Sequence, residues 1–174
     1  HVMNEFRENA IKLFHENGIP SIHHEDYKYT NVLSLFNLEW NLPKIASKIV
    51  GDVGDIFRCD VPNLDTHVLL TINGSFYGLQ SGSPEIPEQI IIGSIAEIGK
   101  THPELIKEYL NKQLAEEKDS LVAMNTALSY DGMFLHIPKG VVVEKPIQIV
   151  NILTGDTPLF SHTRNLIVAE ENAQ

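Results

Sequence analysis

A chain of 174 residues, 43% hydrophobic and 21% charged, is long enough for one domain or a little more around a buried core. Its 23 acidic and 13 basic side chains leave a formal charge of −10 and no cluster of lysines and arginines, which disfavours nonspecific binding to nucleic acid or to an anionic membrane. Cys59 is the only cysteine, so no intrachain disulfide framework exists, and no apolar run exceeds four residues, far short of a bilayer span. The opening residues lack the basic-then-apolar layout of a signal peptide, and the expected location is the cytoplasm.

Met3, Phe6, Ala10, Leu13 and Phe14 recur at three- and four-residue steps and predict an amphipathic helix over residues 3–17. Asn17-Gly18 offers a left-handed stop, and Ile19-Pro20 prevents continuation. The stretch "HHEDYKYT" follows at residues 23–30, then a mixed region with Leu33, Leu35, Phe36, Leu38 and Trp40. Gly51, Asp52, Gly54 and Asp55 read as loop. "HVLLTI" and "SFYGLQ" flank Asn73-Gly74, a type I′ hairpin signal, and Gly78 marks a bulge or a close backbone approach. Asn73-Gly74-Ser75 is also a glycosylation sequon, but the hairpin is the better use of it in a chain without disulfides.

After a Ser/Gly/Pro stretch, "QIIIG" reads as a short strand. Thr101 to Lys118 reads as a helix, with Thr101 and Glu104 as a capping box, Pro103 in the first turn, and Leu105, Ile106, Tyr109, Leu110 and Leu114 on one side. "SLVAMNTALS" continues helical until Asp131-Gly132 turns the chain. From there the pattern changes to short β-prone runs, "MFLHI", "VVV", "IQIVNIL" and "NLIVA", punctuated by proline and glycine. Such spacing suits a sandwich, a barrel or a β-solenoid. Some forty β-prone residues do not close a core alone, so the expected chain is one cut within a β-rich region.

Candidate chemistry is sparse. His15, His23, His24, Glu25 and Asp26 are metal-ligand types, but adjacent histidines point in different directions in helix and strand, and no HExxH or cysteine partner set accompanies them. Gly99-Lys100-Thr101 lies between a strand and a helix, as a phosphate-binding loop would. The spacing fails, because Ser94 stands where the first glycine is needed and Glu97 stands where an anion would sit. Cys59 has Arg58 beside it and acids around it, and a single thiol holds no iron–sulfur cluster. His136 and His162 fall in β-prone segments, and no GxSxG nucleophile motif occurs. The residues therefore predict no catalytic, cofactor-binding or metal site, and a scaffold or binding role rather than an enzyme.

Glu25-Asp26-Tyr27-Lys28-Tyr29-Thr30 resembles the "ED-aromatic-KYT" signature of the D-type members (SufD) of the SufB/SufD family of SUF iron–sulfur cluster assembly. "RENAIKLFHENGIP", "INGSFYGLQS", "MNTALSYDGMFLHIPKGVVVEKPIQIV" and "SHTRNLIVAEENAQ" are similar to further family segments, in family order and over nearly the whole chain. The resemblance implies an α+β N-terminal region, residues 1–128, leading into the first coils of a right-handed parallel β-helix, residues 129–174, truncated there. It implies a scaffold subunit working with SufB-type and SufC-type partners on a transient iron–sulfur cluster, whose ligands lie beyond Gln174. On this basis "HHEDYKYT" is architecture, with Tyr27 and Tyr29 expected to be largely buried and His23 and His24 not expected to share a metal. Open strand edges also predict self-association of the chain. A generic β-solenoid adaptor and a nucleotide-binding enzyme are the alternatives.

Overall fold

The computed structural model describes residues 3–43, 65–79, 85–114 and 118–174. The expected loop at Gly51–Asp55 positions, and Cys59, lie outside these residues. The opening helix, α1 (Met3–Asn17), buries Met3 and Ala10 and half-buries Phe6, Leu13 and Phe14, the face that the spacing outlined. It stops at Gly18, whose φ is +66° and whose N–H donates to the Phe14 carbonyl at 2.8 Å. Two short 3₁₀ turns follow, Glu25–Tyr27 and Val32–Asn37.

Strands β1 (His67–Ile72) and β2 (Ser75–Leu79) form the expected hairpin, with Asn73 at φ +50° and Gly74 at +89°, both left-handed as a type I′ turn requires. Its register slips between Leu70, opposite Gly78, and Thr71, opposite Phe76, so the bulge falls at the anticipated glycine. The Asn73 side chain clasps Thr154, its amide N–H donating to that carbonyl at 3.0 Å and its oxygen accepting from that N–H at 2.9 Å. This amide is a structural clamp and is buried.

Strand β3 (Ile91–Ser94) runs directly into helix α2 (Ile95–Thr101), and α3 (Pro103–Leu114) follows after a break at His102. The helix expected from Thr101 therefore starts at Pro103, the separate helix α2 before it was not expected, and residues 115–117 of the expected span lie outside the described residues. The cap is also elsewhere. Ser94 Oγ accepts from the Glu97 N–H at 3.2 Å, a Ser-x-x-Glu start seven residues before Thr101. Thr101 Oγ1 instead donates to the Ile98 carbonyl at 3.3 Å, at the end of α2. Pro103 disfavours helical backbone at the residue before it, which puts the break at His102. Helix α4 (Ser120–Leu128) starts on Asp119, whose carboxylate accepts from the Leu121 and Val122 N–H groups at 2.8 and 3.0 Å.

Strands β4 (Met133–Ile137), β5 (Ile147–Ile152) and β6 (Leu166–Ala169) coincide with three of the β-prone runs. The described strands make two sheets, ordered β2-β1-β5 and β3-β4-β6, and neither closes into a barrel. Both sheets join strands from either side of residue 129. β1 pairs parallel with β5, His67 opposite Ile147 through Ile72 opposite Ile152, and β4 pairs parallel with β6. Phe134 lies opposite Leu166 and Ile137 opposite Ala169, a constant offset of 32 residues. The same offset holds beyond the strands. Gln174 donates to the Val141 carbonyl at 3.0 Å and accepts from the Val143 N–H at 2.6 Å, which brings the "VVV" run into the stack. Gly140 (φ +72°) and Asn172 (φ +59°), also 32 apart, are left-handed in both layers.

The main apolar cluster gathers Met3, Ile95, Ile106, Leu110, Phe134, Leu166 and Val168, so α1, α2 and α3 pack over the β4–β6 pair. A second cluster, with Leu69, Ile90, Met133 and Leu135, fills the space between the two sheets. The result is a mixed α+β fold.

Candidate functional site

The "HHEDYKYT" stretch sits at the mouth of α4. Leaving α1, the chain is tied by Asn17, whose amide donates to the Lys118 carbonyl at 3.0 Å. The Glu25–Tyr27 turn then brings the Tyr27 hydroxyl to Asp119 Oδ2 at 2.5 Å, on the residue that caps α4. Burial pushes the Asp119 carboxyl up, but the Tyr27 hydroxyl and the Val122 and Leu121 N–H groups outweigh it and hold the group below the usual carboxylate range. Tyr27 is half-buried, its body against protein and its tip on a charge. Tyr29 corrects the expectation made for it, being 92% exposed with the Lys28 ammonium 5.7 Å from its ring centre. One tyrosine with one carboxylate satisfies the dock, and the two-residue step turns the second ring outward. His23 and His24 are exposed, and His24 Nδ1 accepts from the Ser21 N–H at 3.1 Å. His15 is exposed on α1.

Across a cleft of about 450 Å³ from Tyr27 and Asp119 lie Asn125, Thr163, Arg164 and Asn165. Arg164 Nη2 donates to the Val122 carbonyl at 3.3 Å and to the Thr126 hydroxyl, pinning α4 to the approach of β6. Asn165 Oδ1 accepts from the Met133 N–H at 2.9 Å, holding the start of β4. Leu166 is fully buried and Ile167 half exposed. "RNLI" is thus a joint between layers. On the other end of α4, Arg7 of α1 donates to the Ser129 carbonyl at 2.8 Å, and burial lowers its pKa from the ordinary arginine value.

Asp131, read in the sequence only as half of a turn, accepts three hydrogen bonds. Oδ1 accepts from Ser94 Oγ at 2.6 Å and from the Ala96 N–H at 3.2 Å, while Oδ2 accepts from the Phe76 N–H at 3.1 Å. It fastens the hairpin, the cap of α2 and the approach to β4 together. A helix-start serine thirty-odd positions before an Asp-Gly gives no local signal of this pairing. Asp131 also covers one of the outward N–H groups of β2, an edge that would otherwise be open to another strand.

The remaining candidates are engaged in structure. His136 Nε2 lies 2.8 Å from Glu170 Oε1, joining β4 to the turn after β6, and this hydrogen bond, with that from the Lys139 N–H, holds the Glu170 carboxyl low. His162 is buried against Phe160, ring centres 4.3 Å apart at 90°, and burial lowers its imidazole below the usual range. Gly99 is buried inside α2, and Lys100 Nζ pairs with Glu97 at 2.6 Å, so helical backbone occupies the place where a phosphate loop needs open N–H groups. Among the described residues no three His, Cys, Asp or Glu side chains gather as a metal site, and no helix is long and apolar enough to cross a membrane.

Comparison with known sequences decides the family. A family model described as the SufBD protein N-terminal region matches residues 1–149. The chain belongs to the SufBD family. It is 36% identical over 86 residues, 48% of this chain and 19% of the relative, to the iron-sulfur cluster assembly protein SufD of Bacillus subtilis. A SufBD family iron-sulfur cluster assembly protein of Synechocystis is 38% identical over 87 residues, 48% of this chain and 17% of that protein. Another, from Arabidopsis thaliana, is 30% identical over 101 residues, 58% of this chain and 22% of its own length. The match therefore spans about a fifth of the curated relatives. Within the SufBD match fall Tyr27, Asp119, Asp131 and helix α4, whereas Arg164 and Asn165 lie past residue 149.

Proposed function

We propose that this chain is the N-terminal part of a non-catalytic scaffold subunit for iron–sulfur cluster assembly, acting in the cytoplasm with a SufB-type partner and a SufC-type ATPase. The observation that carries the proposal is the stack itself. Two layers repeat at a fixed offset of 32 residues and share a left-handed residue at one corner. A repeat of that kind makes a stiff wall, suited to holding subunits in register. We read it as the first coils of a right-handed parallel β-helix, residues 129–174, entered from an N-terminal region of residues 1–128. The engagement of Asp119, Asp131, His136 and Arg164 in joints between layers supports a scaffold over an enzyme. The cluster is then cargo of the complete assembly, with no ligand proposed among the described residues.

The test is co-purification of the complete protein with a SufB-type subunit and a SufC-type ATPase, followed by cluster loading of the complex. Recovery of both partners is expected; loss of both would leave a solenoid adaptor without a role in metal chemistry. The 174-residue chain is further expected to self-associate through strand edges, and a strict monomer in sedimentation at high concentration would remove that part.

A further inference from the structure

Residues 18–42 cross the surface between α1 and the sheets with only Pro20 and Val32 buried. Six large apolar or aromatic side chains in this stretch stand exposed: Ile22, Tyr29, Leu33, Leu35, Leu38 and Leu42. Past Gly18, whose N–H closes the end of α1, the stretch is hydrogen-bonded to the rest of the chain at Tyr27, through Asp119, and at Asn41. Other hydrogen bonds close within the stretch itself, as Ser34 to the Asn31 carbonyl and Trp40 Nε1 to the Leu35 carbonyl do at 2.8 and 2.6 Å. The cleft of about 450 Å³ lies beside the first of these ties, lined from this segment by Tyr27.

The far tie is a one-residue strand. Asn41 pairs parallel with Leu159, its N–H donating to the Pro158 carbonyl at 3.0 Å and its carbonyl accepting from the Phe160 N–H at 2.9 Å. Phe36 and Trp40 bracket Phe160, with ring centres at 5.9 and 5.8 Å. By contrast, β1 holds β5 over six consecutive residue pairs. Two backbone bonds and two aromatic contacts make a short ligand of this segment, bound in cis.

We propose that residues 18–42 form a releasable strap whose end occupies a docking site at residues 158–160 for an extended peptide bearing an aromatic side chain. The strap itself defines the occupant: one extended residue for the backbone pair, preceded by aromatic rings, here Phe36 and Trp40, for Phe160. Release leaves α1 in place, because Arg7 and Asn17 tie that helix to α4 independently of Tyr27.

Hydrogen exchange on the 174-residue chain tests release, with Trp40, the one tryptophan, as a fluorescent reporter. The Asn41 and Phe160 amides are expected to exchange at least about tenfold faster than those of β1 and β5, through local opening. Tyr27→Phe removes one tie, and it should speed those two amides by about fivefold and raise Trp40 quenching, with β1 and β5 unchanged. An added peptide of residues 35–42, LFNLEWNL, should then protect Phe160 in the Tyr27→Phe chain and fail to bind Phe160→Ala. Exchange of Asn41 and Phe160 at the β1 and β5 rate would overturn release. Fast exchange without protection by the peptide would overturn the docking site.

Discussion

Gly132→Ala is the sharpest test of how the layers are stacked. A Cβ on Gly132 would stand 1.9 Å from the Arg164 carbonyl oxygen, 2.5 Å from its carbon and 3.0 Å from its nitrogen. These are backbone atoms at the entrance of β6, so no side chain can swing aside, and the layers must part by more than an ångström. Three hydrogen bonds cross that spot: Ile95 N–H to the Gly132 carbonyl at 2.9 Å, Arg164 N–H to the Asp131 carbonyl at 3.4 Å, and Met133 N–H to Asn165 Oδ1 at 2.9 Å. At about 1 kcal/mol net each, with some loss of packing around Phe134 and Leu166, the cost comes to about 3–5 kcal/mol. Gly140→Ala is the control. Its Cβ meets nothing within 4 Å, so only the left-handed φ of +72° counts, about 1 kcal/mol. Gly140→Asn should cost less still, because Asn172 holds the same corner one layer on. Urea unfolding of the three variants, followed by circular dichroism, measures the order. A Gly132→Ala chain as stable as Gly140→Ala would refute the close approach of the layers.

Tyr27→Phe should cost about 1 kcal/mol by losing the Asp119 hydrogen bond, whereas Tyr29→Ala, at an exposed ring, should stay within about 0.5 kcal/mol, both by urea unfolding. Asp119→Ala should cost about 1 kcal/mol at neutral pH through the lost helix cap. Because the folded-state pKa of Asp119 is depressed, its contribution is present above the unfolded carboxylate range and lost as pH falls through the folded value. The gap between parent and Asp119→Ala should therefore narrow in acid, and a gap constant with pH would count against the charge. Asn73→Ala should cost about 2–3 kcal/mol, from two hydrogen bonds to Thr154 and a left-handed φ of +50°, read as a lowered melting temperature.

Elements whose signals are local were legible. Helix α1, its glycine stop, the Asn73-Gly74 hairpin with its bulge, and the cores of β3 to β6 were all written in spacing and turn chemistry. The capping error shows the limit of the same signals. Thr101 and Ser94 both open a Ser/Thr-x-x-Glu pattern, and the strand ending at Ser94, together with Asp131 bonded to its hydroxyl, decides between them. Tyr27 and Tyr29 could not be told apart, because the partner that selects one of them, Asp119, lies 92 residues away. The pairing of β1 with β5, offset by 80 residues, has no local trace either. The 32-residue offset did have one. Phe134 and Leu166, Leu135 and Ile167, and Gly140 and Asn172 repeat apolar and turn character at that step, and two layers are the shortest repeat that shows it.

The two sheets also show what the earlier strands do for the later ones. A strand paired on one side leaves backbone groups open along its other edge, and open edges invite foreign strands. Here β4, β5 and Leu159 have each taken one partner from earlier in the chain: β3 lies antiparallel on β4, β1 lies parallel on β5, and Asn41 lies parallel on Leu159. The three closures are unequal, at four, six and one residue pairs. The two longer ones are backed by apolar clusters containing Ile95 and Phe134 on one side and Leu69 and Ile90 on the other. The shortest rests on the ring of Phe160. If stability follows paired length and burial, opening must begin at Asn41 and reach β1 and β3 only with the collapse of the core. The same inequality places any exchange of partners on the third closure, while the pairs on β4 and β5 keep the wall in register.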